Sequence, residues 1–265
     1  MKSTEMCTLA IYFQVFPTRP VVVAANRDEF LDRPALAPTV LNQAPVIAGG
    51  KDLKAGGTWL AINQFGMVAG LLNRRSSTAA DPSLRSRGQL CLQALHHADV
   101  EQAIAYVTRQ DPNAYNPFNL LVASPRVAVV ADNRGGRIRA TRLAPGMHLL
   151  TNLDVDDFEC PRISAAFERF RALCQEPALG DRGAELRARL ATLLADHSTQ
   201  LDPRSNRPNA LCLHGDKYGT RSSSIISIGA SGASEHYFAP GPPCVNVHTR
   251  VLIHELPALA SSEAA

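Results

Sequence analysis

The residues that could do chemistry are Cys7, the pair Arg27 and Asp28 inside Asn26-Arg27-Asp28-Glu29, two asparagines, Asn73 and Asn152, and Arg221. A thiol reacts as its thiolate, so a nucleophilic cysteine needs a base or a nearby cation. A cysteine that begins its chain brings its own base. Its α-amine, with an ordinary pKa of about 7.7–8.0, can take the thiol proton. Met6 directly precedes Cys7, and methionine aminopeptidases remove Met before a small residue. Translation from Met6 would therefore free Cys7. Translation from Met1, followed by the large Lys2, would require self-cleavage of residues 1–6 or leave them attached. Arg27 beside the thiol would favour the thiolate, and Asp28 could orient the amine. Asn73 and Asn152 each follow an apolar strand run, where a fixed amide is a usable oxyanion donor. Arg221, in Tyr218-Gly219-Thr220-Arg221-Ser222-Ser223-Ser224, could bind a substrate carboxylate or complete a charge network. Each residue also has a plainer role: buried strand thiol, structural Arg–Asp pair or turn-forming Asn. Residue type and spacing leave both open.

These residues need elements to hold them. Cys7 heads residues 7–13, and the polar quartet closes residues 21–25; both runs are apolar on both faces. Such strands must be covered on both sides. A glycine turn and strand over 54–63, the turn Gln64-Phe65-Gly66 and a strand over 67–73 form a hairpin ending at Asn73. Further strands are predicted at 46–50, 118–123, 127–132, 137–143, 146–150, 220–228, 236–238 and 245–254. Helices are predicted over 84–98, 100–110, 157–174 and 185–197. Residues 30–45, with Pro34, Pro38 and Pro45, read as an extended surface loop, and 200–210 as another. Blocks of strands and helices in this order argue an α+β fold with antiparallel sheets rather than βαβ winding. Two facing sheets with helices outside, a four-layer αββα sandwich, would cover the doubly apolar strands. One domain is expected over 7–257, with 1–6 a removable or mis-assigned extension and 258–265 a frayed tail.

Composition limits the function classes. The 265 residues are 45% apolar and 19% charged, enough for a sizeable core. The formal charge of +3 with scattered arginines implies no nucleic-acid partner. No stretch approaches the roughly 20 apolar residues of a membrane span, and no apolar signal region opens the chain, so a cytoplasmic location is expected. The six cysteines are widely spaced without a CxxC, which in a reducing compartment reads as small buried thiols. Cys244, Asn246 and His248 alternate along one segment, as do Cys212 and His214. Neither set has the tight spacing of zinc pairs, so no metal centre is expected. The glycines at 49–50, 56–57 and 135–136 make neither a P-loop nor a GxGxxG, so no nucleotide site is expected.

The motifs also resemble a known family. Met6-Cys7-Thr8-Leu9, Asn26-Arg27-Asp28-Glu29-Phe30, Arg33-Pro34, Ala48-Gly49-Gly50-Lys51-Asp52, Ala55-Gly56-Gly57-Thr58-Trp59-Leu60, Leu72-Asn73-Arg74-Arg75, Ser86-Arg87-Gly88, Tyr115-Asn116-Pro117-Phe118-Asn119-Leu120, Leu150-Thr151-Asn152 and Tyr218-Gly219-Thr220-Arg221 resemble, in number and order, the NRDE or transport-and-Golgi-organisation family. That family is similar to the N-terminal nucleophile (Ntn) hydrolases, which are four-layer αββα sandwiches. Cys7, Arg27, Asp28, Asn73, Asn152 and Arg221 resemble the site of the cysteine branch, which includes bile-salt hydrolases and penicillin acylases. Here Arg27 and Asp28 are adjacent, a spacing that branch does not share. The resemblance implies an amidase or acyltransferase for non-peptide amide or acyl substrates, with no cofactor required for hydrolysis. It also implies an alternative: eukaryotic members are linked to secretory organisation, acyl-CoA and lipid metabolism and haem mobilisation. The same cleft would then bind haem, acyl-CoA or a lipid-like cargo without reacting, Cys7 or a histidine serving as an axial ligand to haem.

Overall fold

Strand β1 (Thr8–Phe16) alternates between two cores. Leu9, Ile11 and Phe13 enter one apolar cluster, and Ala10, Tyr12 and Phe16 enter another. β2 (Arg19–Phe30) does the same, with Val21 and Val23 on one side and Val22 and Ala24 on the other. This is the period-two rule applied to strands covered on both faces. The computed structural model describes residues 7–158, 161–197 and 209–252. The expectations for 1–6, for most of 200–210 and for 253–265 lie outside the described residues.

The remaining elements follow in chain order. Five are β3 (Ala35–Gln43), β4 (Val46–Asp52), β5 (Leu60–Asn63), β6 (Val68–Asn73) and helix α1 (Arg87–Ala94). Next come α2 (Val100–Thr108), β7 (Phe118–Ala123), β8 (Ala128–Asn133), β9 (Ile138–Arg142) and β10 (Gly146–Leu150). The chain closes with α3 (Pro161–Arg171), α4 (Gly183–Leu194), β11 (Tyr218–Ile228), β12 (Ser234–Ala239) and β13 (Thr249–Val251). They form two antiparallel sheets, β10-β1-β2-β11-β12-β13 and the meander β3 to β9.

Between the sheets lies a core that includes Leu9, Ile11, Val23, Leu60, Leu72, Leu121, Leu150 and Ile226. The outer face of the first sheet meets α3 and α4 through Phe170, Leu186, Leu190 and Leu194, and the outer face of the second meets α1 and α2 through Leu90, Ala94 and Val107. The molecule is the expected αββα sandwich. Tyr12 is fully buried and its hydroxyl donates to the Phe170 carbonyl at 2.9 Å, tying β1 to α3. Among the described residues, no helix is long and apolar enough to cross a membrane.

Two expectations are corrected. Residues 30–45 are not all loop, because β3 is the edge strand of the second sheet. Its prolines masked it. Pro38 falls where the β3–β4 register shifts, between Leu36 and Thr39, and an edge or a bulge tolerates a missing N–H. The closing strand also starts later than residue 245: among the described residues of 245–252 only Thr249–Val251 pairs, after a turn in which Val245 and Asn246 N–H groups donate to the Pro242 carbonyl.

Because the inter-sheet core joins the halves, truncating it should be costly. Leu121→Ala, at a fully buried position there, is expected to lower unfolding free energy by about 2–5 kcal/mol. Urea denaturation measures this.

Candidate functional site

The candidate site forms where β1 begins and β2 ends. Pairing of Thr8 with Asn26 and of Leu9 with Leu150 brings Cys7, the Asn26–Glu29 quartet and Thr151-Asn152 to one end of the first sheet. The Cys7 thiol is half-buried and donates to the Asp28 carbonyl at 3.4 Å. It faces a cavity of about 470 Å³ whose wall includes Arg27, Glu29, Trp59, Asn73 and Arg87. That volume is in the range of small-molecule sites.

The quartet is split by strand alternation. Asn26 points to the helix layer, where its amide donates to the Leu194 and Leu211 carbonyls at 2.8 and 3.0 Å. Asp28 points the same way: its carboxylate accepts from the Thr220 hydroxyl at 2.6 Å and lies 3.6 Å from the Arg162 guanidinium on α3. Arg27 and Glu29 turn into the inter-sheet cleft. Arg27 is buried, lies 4.3 Å from the Trp59 ring centroid, and sits 3.6 Å from Glu29 and 3.7 Å from Asp52. Arg33 joins the cluster at 2.7 Å from Asp52 and 3.5 Å from Glu29.

Trp59 can lie there because Gly50 leaves room. A Cβ on Gly50 would come within 2.2 Å of the indole. Gly57 plays a like role, since a Cβ there would be 2.0 Å from the Gly88 backbone. That close approach presses the turn before β5 onto the start of α1 and closes the cavity wall.

Asn73 and Asn152 arrive from different sheets. Asn73 ends β6, pairs with Phe118 and is exposed on the cavity wall. Asn152 is buried just after β10, and its carbonyl accepts from the Arg75 N–H at 2.7 Å. Arg74 donates to the Leu153 carbonyl at 3.1 Å, so the two asparagine-bearing segments are fastened together. Arg221 is the extra residue of a bulge between Thr220 and Ser222, and its guanidinium donates to the Arg33 carbonyl at 3.5 Å. Cys7, Arg27, Asp28 and Asn73 thus border one cavity, Asp28 through its backbone side, whereas Asn152 and Arg221 stand beside it and not on its wall.

Electrostatics follow from burial. Burial, reinforced by the Asp28 carboxylate, pushes the Cys7 thiol up to about 12. With a peptide bond on its nitrogen, the thiol is neutral at ordinary pH. Burial raises Asp28 to about 6 against the pull of Arg162 and Thr220. At Asp52 burial also pushes upward, but hydrogen bonds from Arg33 and from the Ala55 and Lys54 N–H groups win, and its carboxyl sits below the usual range. Among the described residues, no histidine lines the cavity.

Trp59, Arg33, Asp52, Arg87, Arg162 and Thr220 were not singled out as site residues by type and spacing. The glycines flanking Trp59 were a usable signal. Arg162 carried none, lying in an arginine-rich helix whose contact with Asp28 is purely tertiary.

The architecture defines an Ntn-hydrolase-like fold. Among solved structures, the chain superposes on a Caenorhabditis elegans N-acylethanolamine-hydrolyzing acid amidase ortholog with a TM-score of 0.56 at 14% identity, covering 86% of this chain and 94% of that one. It superposes on a mutant of the conjugated bile acid hydrolase from Clostridium perfringens with a TM-score of 0.50 at 8% identity, covering 96% and 98%. At these identities the likeness is one of fold. A profile of the Transport and Golgi organisation 2 family matches residues 6–238, and the chain belongs to that family. The Bos taurus Transport and Golgi organization protein 2 homolog is 31% identical over 260 residues, covering 84% of this chain and 90% of the relative. The Mus musculus homolog is 28% identical over 265 residues with the same coverage.

The Asp28 environment has a pH signature. In the folded chain Asp28 holds its proton to about pH 6, against 3.8 for an ordinary aspartate. The folded state binds that proton more tightly, so stability falls as pH rises from about 4 through about 6, by roughly 3 kcal/mol. Urea unfolding across this window is expected to show the slope in the wild type and its loss in Asp28→Asn.

Proposed function

We propose that the chain is a cysteine amidase or acyltransferase for non-peptide acyl substrates, activated by release of Cys7 as the first residue. The observation that carries this reading is the pairing of the Cys7 thiol with a cavity that offers no histidine base among the described residues. A thiol held at about 12 does not react unaided. Its own α-amine would supply the missing base, with an ordinary pKa of about 7.7–8.0. The reaction then runs in two halves. The thiol passes its proton to the amine while sulfur attacks the substrate carbonyl. The tetrahedral oxyanion is held by the Asn73 amide on the cavity wall. As the C–N bond breaks, the ammonium returns the proton to the leaving amine. Water, or another acceptor, attacks the resulting thioester, gives a proton to the amine, and restores the thiol. Arg27, fixed by Trp59, Glu29 and Asp52, keeps positive charge beside the sulfur. The acyl part meets Leu9, Leu60, Leu71 and Leu72, and the polar part meets Arg33, Arg85 and Arg87.

The test compares two preparations of the full chain, one with residues 1–6 retained and one cleaved so that Cys7 is first, on chromogenic N-acyl anilides of varied chain length. Hydrolysis is expected only after cleavage, with loss of 10²-fold or more in Cys7→Ala. Equal rates in the two preparations would overturn it.

A second reading is favoured by the cations Arg27, Arg33, Lys54, Arg85 and Arg87 on the cavity wall. It holds a large anionic ligand, acyl-CoA or haem, without turnover. Trp59 is the only tryptophan and touches Arg27. Micromolar acyl-CoA or haem is therefore expected to quench its emission saturably, with weaker binding in Arg27→Ala. An unchanged signal would count against this reading.

A further inference from the structure

Away from the cavity, two thiols and two imidazoles converge. We propose that Cys212, Cys244, His214 and His197 form a tetrahedral Cys2His2 site for zinc, with a structural role. Their ligand atoms all lie within 4.8 Å of one another. The two Sγ atoms are 3.7 Å apart, and His214 Nε2 lies 3.7 Å from Cys212 Sγ and 3.3 Å from Cys244 Sγ. Zinc binds thiolate at about 2.3 Å and imidazole at about 2.0–2.1 Å, so a regular tetrahedron has edges of about 3.3–3.8 Å. The three separations fall within that range. His197 stacks on His214 with ring centroids 4.9 Å apart at 25° and supplies the fourth ligand. Two thiolates and two neutral imidazoles are the donor set of a closed zinc site, neutral overall with a dication.

Spacing along the chain argued against metal because the ligands come from three segments. The fold delivers each on a bonded backbone. His197 follows α4, and the neighbouring Asp196 carbonyl accepts from the Leu211 and Cys212 N–H groups at 3.1 and 3.0 Å. Cys244 sits in the turn closed onto the Pro242 carbonyl. His248, which alternates with Cys244, does not join; its Nε2 bonds Ser223 at 3.0 Å. A disulfide is the competing use of the two cysteines. It requires sulfurs about 2.05 Å apart, well inside the 3.7 Å found, and would give the two histidines no part.

The site would brace the candidate active corner. Next to Cys212, the Leu213 N–H donates to the Thr220 hydroxyl at 2.9 Å, and that hydroxyl donates to Asp28 at 2.6 Å. A metal pinning segment 209–217 to α4 and to the turn before β13 would fix this chain of bonds.

Cobalt is the probe. The full chain, reduced with a phosphine and stripped by chelator, is titrated with Co²⁺. Expected are intense tetrahedral d–d bands and a thiolate-to-cobalt charge-transfer band, saturating at an equimolar amount and bleached by Zn²⁺. Cys212→Ser and Cys244→Ser should each weaken the charge-transfer band and loosen binding, while Cys174→Ser, outside the cluster, leaves it. If a variant fails to fold, the wild type decides: near-equimolar zinc on elemental analysis and a higher Tm with Zn²⁺ than with chelator support the site. Absent or octahedral cobalt bands with no zinc on the purified protein would overturn it, as would a Cys212–Cys244 disulfide in anaerobically purified protein.

Discussion

Neighbouring residues on a β-strand face opposite ways, and at the end of β2 this rule decides what the site can be. It sends Asn26 and Asp28 to the helix layer and Arg27 and Glu29 to the inter-sheet cleft. Because β2 is covered on both faces, neither set can escape to solvent, and each buried polar group needs a partner. Asn26 finds the end of α4, Asp28 finds Thr220 and Arg162, and Arg27 finds Trp59 with two carboxylates. The adjacency of Arg27 and Asp28 thus separates their tasks: a cation beside the thiol, and a carboxylate behind it that holds the corner of the sheet.

The fold was legible because its strands are apolar on both faces, a pattern that only a covered sheet satisfies. Cys7, Arg27, Asp28 and Asn73 were legible for a similar reason: each stands at one end of an apolar run, Cys7 at its start and the others at its close, and strand ends of an antiparallel sandwich gather. What was not legible is tertiary. Arg162 reaches Asp28 from a helix with no distinguishing pattern. Pro38 concealed an edge strand. His197, the Cys212–His214 pair and Cys244 lie on three separate segments, so no spacing rule could join all four. Asn152, read as a polar residue just after a strand, and Arg221, read in a polar cluster entering one, lie off the cavity wall, because turns and bulges decide which side chains meet a cavity.

The cavity is built from both sheets, yet its chemical groups are unevenly shared. The first sheet contributes the thiol and Arg27; the second contributes Trp59, Asp52 and Asn73. The Arg27 cluster therefore acts as a polar rivet across an otherwise apolar interface. Two cations and two carboxylates in contact are close to neutral as a group, and their mutual attraction offsets part of the desolvation cost of placing them between the sheets.

The bulge at Arg221 joins two registers of one strand. Before it, Thr220 faces the helix layer opposite Asp28; after it, Ser222 faces the cleft opposite Arg27, and Ile226 and Ile228 enter the inter-sheet core. Without the extra residue, no single phase of the strand could satisfy both ends, since keeping the hydroxyl on Asp28 would turn Ile226 away from its core. Arg221 is thus a phase shifter: its backbone, whatever its side chain does, lets a structural half-strand and a cavity-lining half-strand be one continuous piece of chain.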